Sequence, residues 1–269
     1  DFAEALNNRG NTLRELKRLD EAAASYERAV RIRPDFSEAL YNLGCIRLEL
    51  AQTQEALECL ARCLRITPQH SGALGQSGVA LMALQRPQEA LASFERALQL
   101  LPNDAESHYW RGNALLALAR PEEAAASYRR ALQLRPDIAE AHYNLANALL
   151  HLQRPDEALL AYDRALAARP DYVAALYNRS GALQDLRRYA EAIAGYERLM
   201  ELAPGHRYAR GKLFHARQFR CDWAHYREDV LALVDSAQGA RTLDMPLPFL
   251  AVTDEPALQQ RCARDYTTR

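Results

Sequence analysis

Proline recurs at Pro34, Pro68, Pro102, Pro136, Pro170 and Pro204, each 34 residues from the last. A single closed core has no reason to hold that interval. A stack of equal helical hairpins does, because every unit must end at the same point of the same turn. Proline performs that ending, since it offers no N–H to continue a helix and restricts the residue before it. Setting Pro34 at position 32 of a 34-residue unit brings the rest into register, with units at 3–36, 37–70, 71–104, 105–138, 139–172 and 173–206.

Within that register, position 8 is Gly10, Gly44, Gly78, Gly112, Ala146 and Ser180, and position 20 is Ala22, Ala56, Ala90, Ala124, Ala158 and Ala192. Position 24 is Tyr26, Leu60, Phe94, Tyr128, Tyr162 and Tyr196; position 27 is small in all units but the last, which has Leu199. Small residues at 8 and 20 let two helices approach closely, and the large residue at 24 fills the space they frame. Pro87, Pro121 and Pro155 sit at position 17, each with a glutamate two residues on. That is a helix start, where a missing donor is harmless and negative charge favours the dipole. The pattern predicts an all-α solenoid of six helix-turn-helix repeats, a partial seventh over 207–220 and a helical junction segment over 221–269.

Composition narrows the function classes. Thirty-four basic and 35 acidic side chains leave a formal charge of -1, which gives no electrostatic case for nucleic acid or an anionic membrane. No run of eighteen apolar residues occurs, so the expectation is a soluble protein. Cys45, Cys59, Cys63, Cys221 and Cys262 are odd in number and lack a framework spacing, which points to reduced thiols in the cytoplasm. The chain starts at Asp1 rather than methionine and stops at Arg269 without a tail, so a fragment of a larger protein is expected.

The residues at positions 8, 20, 24, 27 and 32 resemble the tetratricopeptide repeat family over residues 3–206. The resemblance implies a right-handed superhelix whose first helices line a concave side. On that side position 6 carries Asn8, Asn42, Gln76, Trp110, Asn144 and Asn178, and position 9 carries Asn11, Cys45, Val79, Asn113, Asn147 and Gly181. An amide offers a donor and an acceptor, so a row of them suits gripping the backbone of an extended polypeptide. Asparagine at both positions is also common in the repeat pattern without any ligand. Trp110 breaks the row, either as a binding hot spot or as an indole packed on Tyr109 and Tyr143. A cationic clamp for an acidic C-terminus, as in chaperone adaptors of the family, would need Lys or Arg at positions 2 and 5. Position 2 is instead Glu4, Glu38, Gly72, Glu106, Glu140 and Ala174, and position 5 is Asn7, Tyr41, Gly75, Tyr109, Tyr143 and Tyr177.

Other constellations point to packing. Cys59 and Cys63 lie one helical turn apart, but Cys63 holds the small core position and two thiols make a poor zinc site. His108 and His142 fill equivalent, half-buried positions of adjacent units. No phosphate-cradling glycine loop and no serine–histidine–acid context occur, so neither a metal nor a cofactor is expected in this chain, and no activity of its own.

After Pro204 the register continues with a first helix from about Tyr208 to Phe219 and His215 on the inner line of Asn11, Asn113 and Asn147. Asp222 reads as an N-cap, and Trp223, Tyr226, Val230, Leu233 and Val234 as the stripe of one further helix. Residues 237–252 read as a connector and 255–266 as another helix. Leu213-Phe214-His215-Ala216 through Cys221-Asp222-Trp223, with Tyr226, Leu231 to Val234 and Pro248-Phe249, resembles the junction of O-linked N-acetylglucosamine transferases. That resemblance implies a parent enzyme that uses UDP-GlcNAc, repeats that hold the acceptor polypeptide, and His215 at the cleft as a catalytic base or substrate contact. The sugar-nucleotide domains of that family alternate strands and helices, a pattern missing here. A stand-alone repeat scaffold for protein assembly is the alternative, and a homodimer is left open.

Overall fold

The computed structural model describes residues 2–206 and 208–238. The expected connector beyond Gln238, the helix at 255–266, and Pro248, Phe249 and Cys262 lie outside the described residues. All regular structure among the described residues is α-helical. The chain divides into two compact units, 1–137 and 138–269.

The first unit holds four hairpins: α1 (Phe2–Glu15) with α2 (Leu19–Ile32), α3 (Ser37–Glu49) with α4 (Thr53–Ile66), α5 (Ser71–Ala83) with α6 (Pro87–Leu100), and α7 (Ala105–Ala117) with α8 (Pro121–Leu134). The second holds α9 (Ala139–His151) with α10 (Pro155–Ala168), α11 (Val173–Asp185) with α12 (Tyr189–Leu202), and α13 (Ala209–Phe219) with α14 (Tyr226–Gln238). Every second helix of the six regular hairpins stops two residues before its proline, and Pro87, Pro121 and Pro155 stand at the first turn of α6, α8 and α10. No described helix is long and apolar enough to cross a membrane.

The turn inside each hairpin is set by one left-handed residue. Lys17, Ala51, Gln85, Ala119, Gln153, Arg187 and Cys221 have φ of 55° to 59° and recur at the repeat interval. The following N–H bonds back to the carbonyl five residues earlier, from Arg18 to Leu13 at 2.9 Å through Asp222 to Arg217 at 2.9 Å. These bonds take up carbonyls that the helix end would leave bare, in the manner of a Schellman cap. In five of the hairpins the next residue is an arginine that reaches a glutamate three residues on, as Arg86 does Glu89 at 2.7 Å.

Between the helices the large side chain at position 24 presses directly on position 8. A Cβ on Gly78 would lie 2.5 Å from the Phe94 ring, and one on Gly112 would lie 2.5 Å from the Tyr128 ring. Tyr26, Phe94, Tyr128, Tyr162 and Tyr196 are fully buried by that approach. In the sixth hairpin Ser180 occupies position 8, and Gly195 on the facing helix supplies the room: a Cβ there would meet Ser180 Oγ at 2.2 Å. Cys63 is fully buried in the core, its thiol 3.2 Å from the Ser37 hydroxyl, and burial pushes that thiol above its ordinary pKa.

The seventh hairpin departs from the rest. Its turn at Cys221 keeps the register, yet position 8 is Phe214 and position 20 is Tyr226, two rings 5.7 Å apart where the others have small residues. Two rings cannot interlock as glycine and alanine do, and α14 starts three residues later than its equivalents. The expected stripe of Trp223, Tyr226, Val230, Leu233 and Val234 is accordingly not one buried face over its first four members, the Val234 side chain lying outside what the structure describes. Trp223 precedes the helix and is 55% exposed, Tyr226 is exposed, Val230 is half-buried, and only Leu233 is fully buried. Arg217 ties the hairpin together instead, bonding Asp229 on α14 at 2.7 Å and Glu197 on α12 at 2.8 Å.

Gly112→Ala tests the close approach. Overpacking the Tyr128 ring costs about 1–3 kcal/mol, while alanine returns at most about 1 kcal/mol of helix propensity. Urea unfolding is expected to show a net loss of roughly 1–2 kcal/mol; equal or greater stability would mean the ring moves aside freely.

Candidate functional site

In the first unit α1 touches α3, α3 touches α5 and α5 touches α7; in the second α11 touches α13. Within each unit the first helices of the hairpins thus form a layer of their own, and positions 6 and 9 lie on it. Asn8 is exposed, whereas Asn11, Asn42, Trp110, Asn113, Asn144, Asn147 and Asn178 are half-buried.

The amides have internal work. The hydroxyls of Tyr26, Tyr128 and Tyr162 donate to Oδ1 of Asn11, Asn113 and Asn147 at 2.8, 2.8 and 2.5 Å. A buried hydroxyl without a partner is costly, so position 9 serves position 24 in the first instance. The next rung is bonded to the one before: Asn42 Nδ2 donates to Asn7 and Asn11 Oδ1 at 3.0 and 3.3 Å, and Asn178 Nδ2 to the Tyr143 hydroxyl and Asn147 Oδ1 at 3.0 and 3.2 Å. With two donors on its oxygen, Asn147 has its Nδ2 group to offer a ligand.

The signal for this wiring stands in the sequence, though reading positions 6 and 9 by themselves misses it. Where position 24 lacks a hydroxyl, position 9 is not asparagine: Leu60 goes with Cys45, and Phe94 with Val79. The apparent exception is resolved by the structure. Tyr196 faces Gly181, and its hydroxyl donates to Gln184 Oε1 at 3.3 Å instead.

That same glutamine reaches His215, with Gln184 Nε2 2.6 Å from His215 Nδ1. Because Oε1 accepts from Tyr196, the amide nitrogen is the donor and Nδ1 the acceptor, which leaves the neutral ring its proton on Nε2. Burial, with Lys212 adding to it, holds the ring below its ordinary pKa. The arrangement suits a hydrogen bond donated from Nε2 rather than proton abstraction. Beside His215 lies Phe219, at 4.6 Å between centroids, which with Trp223 and Leu231 is more than half exposed.

A cleft of about 210 Å³ opens in the first unit. The residues lining it include Tyr41, Phe94, Ala97, Leu101, Asp104, Glu106 and Trp110. Trp110 packs edge-on against Tyr109 at 5.4 Å and also lines this cleft. His108 is held through Nε2 against the Pro102 carbonyl at 3.0 Å, and His142 is buried.

The buried tyrosines give the layer a pH signature. Burial raises the pKa of Tyr26, Tyr162 and Tyr196, and takes Tyr41 up to about 12. An unfolded tyrosine loses its proton near pH 10, so above that value the unfolded state binds fewer protons and stability falls. The contribution is complete below about pH 10 and is lost as pH rises through the folded values. Tyr162→Phe is expected to flatten that decline between pH 10 and 12, measured by urea unfolding; an unchanged slope would show that this hydroxyl titrates normally.

Sequence models of the tetratricopeptide repeat match residues 3–36, 25–58, 78–118, 109–173 and 152–207. No curated protein matches the chain. Among solved structures, a thermophilic tetratricopeptide repeat protein of Thermus thermophilus, TTC0263, is 30% identical, covering 68% of this chain and 99% of its own with a TM-score of 0.53. YrrB, described as a repeat protein with an unusual peptide-binding site, is 25% identical over 65% of this chain and 90% of its own, with a TM-score of 0.57. PilF of Pseudomonas aeruginosa shares the fold at 20% identity, over 80% of this chain and 95% of its own, with a TM-score of 0.66. With its hairpins, its paired small residues and these matches, the chain belongs to the tetratricopeptide repeat family.

Proposed function

We propose that the layer of first helices holds an extended segment of a partner polypeptide. The observation that carries this reading lies in the first unit, where Asn11, its oxygen already accepting twice, keeps its Nδ2 group for a ligand and an open cleft is lined in part by apolar side chains; Asn147 repeats the same arrangement in the second unit. Backbone amides of an extended chain match the rungs, and a side chain matches the cleft. The peptide-binding site of YrrB, 25% identical, supports the same use of the fold. A random dodecapeptide display library supplies the test. Peptides it captures are expected to bind about tenfold more weakly to the Asn144→Ala, Asn178→Ala double variant, since two lost hydrogen bonds are worth that much. The variant should stay folded, losing about 1–2 kcal/mol through the internal bonds of both asparagines. Unchanged affinity would remove the rungs from the site, and an empty selection would remove the groove.

The narrower reading is that the held segment is the acceptor for a UDP-GlcNAc-dependent protein O-glycosyltransferase whose catalytic domains are absent from this chain. The resemblance of residues 213–234 to that family's junction supports it, and so does the exposure of Phe219, Trp223 and Leu231, which is what a junction without its neighbouring domain presents. In this reading His215 contacts the substrate at the edge of the cleft through Nε2. The full-length gene product, given UDP-GlcNAc and a captured peptide containing serine or threonine, is expected to add one N-acetylhexosamine by mass spectrometry. A product of unchanged mass would favour a scaffold with no linked enzyme.

A further inference from the structure

The cleft in the first unit lies where the repeat omits a side chain. At position 5 the fourth, fifth and sixth hairpins carry Tyr109, Tyr143 and Tyr177. Each of these rings packs over the position-24 tyrosine of its own hairpin, at 6.2, 6.0 and 6.3 Å between centroids. The third hairpin has Gly75 at this position, and its position-24 ring, Phe94, is among the residues lining the cleft.

Packing does not require that glycine. Gly75 lies inside α5, where glycine weakens a helix relative to alanine, and its φ is not positive. A Cβ built on it meets only Ser107 Oγ, at 3.7 Å, an ordinary contact. Gly78, one turn on in the same helix, is the opposite case, with Phe94 at 2.5 Å. Gly75 therefore weakens α5 and leaves open a space that tyrosines fill elsewhere in the protein. Gly72, which also lines the cleft, stands at position 2, where four of the other units have glutamate.

The size and charge of the space specify an occupant. A cavity of roughly 150 Å³ accepts a benzene ring, so about 210 Å³ accommodates a phenyl or phenol side chain. Phe94 is itself fully buried, so the half-buried Trp110 offers the aromatic surface for it. The residues lining the cleft include Asp104 and Glu106 and no Lys or Arg. Asp104 also caps α7, accepting from the Ser107 N–H at 3.0 Å, so its charge is fixed in place.

We infer that this cleft is a specificity subsite that takes one aromatic side chain of a bound peptide, flanked by lysine or arginine, in the place of the tyrosine missing at position 75. The inference rests on the peptide-holding reading and adds to it which sequence is preferred.

Two defined peptides test it: acetyl-Ser-Lys-Phe-Lys-Ser-amide and the same peptide with Ala for Phe. Each is titrated to millimolar concentration against the whole chain carrying Trp223→Phe, which leaves Trp110 as the reporting indole. The Phe peptide is expected to bind on the order of tenfold more tightly, the effect of burying one ring. Gly75→Tyr, which returns the missing ring, is expected to abolish that preference. Gly75→Ala should raise the urea midpoint and keep the preference, which separates a filled cleft from a damaged fold. Equal binding of the two peptides, no binding of either, or a preference that survives Gly75→Tyr would overturn the subsite. The display selection separates this from failure of the groove: dodecapeptides captured without aromatic residues leave the groove standing and remove the subsite.

Discussion

Everything in the regular hairpins follows from one contact, the position-24 side chain lying against a position-8 residue too small to keep it away. Tyr128 on Gly112 and Phe94 on Gly78 bring two helices close enough to bury a whole ring between them. Where the ring is a tyrosine, the contact also carries a hydroxyl out of solvent, and a polar partner must come from the first helix. Asn11, Asn113 and Asn147 supply it, with Gln184 standing in for the sixth hairpin. The amide row is therefore a consequence of core packing before it is anything else. Its remaining donors are what a ligand can use.

The seventh hairpin shows what happens when the contact is lost. With Phe214 and Tyr226 at the two close-approach positions, the turn at Cys221 still closes, but the second helix starts late and leaves Trp223 in solvent. A salt bridge through Arg217, whose side chain is 11% exposed, replaces the interlocked core. Breaking a partly buried pair of that kind is expensive because it strands a charge. The seventh hairpin is thus held in part by directional bonds, and Phe219, Trp223 and Leu231 are left facing outward.

The architecture was legible because periodic proline, glycine and alanine have one physical meaning each: a stop, a close approach and a second close approach. Features that depend on partner choice were less so. Reading Asn11 or Asn147 as a groove residue followed from its place on the first helix, and missed that Tyr26 and Tyr162 compete for the same amide. Comparing positions 9 and 24 repeat by repeat would have shown it, since Cys45 and Val79 sit opposite residues without a hydroxyl. The stripe from Trp223 failed for another reason. Helical spacing predicts a shared face, but whether that face is buried depends on how closely α13 comes, and Phe214 sets that distance. His215 was located by sequence, whereas its tautomer depended on Gln184 and Tyr196, two residues with no motif of their own.

Departures from a repeat are where its function is to be sought, and in the first unit they fall together. From Cys45 through Gln76 and Val79 to Trp110, the layer loses the asparagine rungs seen at Asn11, Asn42 and Asn113. The same stretch loses the position-5 ring at Gly75 and opens the cleft over Phe94. Cys45 and Val79 follow from the missing hydroxyls of Leu60 and Phe94, whereas a glycine inside a helix, as at Gly75, is unfavourable to the fold. Their coincidence turns a uniform polar row into an apolar window between two polar flanks. Such a surface can hold a chain by its backbone at both ends and by one side chain in the middle. Sequence preference then comes from the middle and affinity from the ends, so variation at 75, 76, 79 and 110 should change which peptide is chosen while the hairpins that present it stay the same.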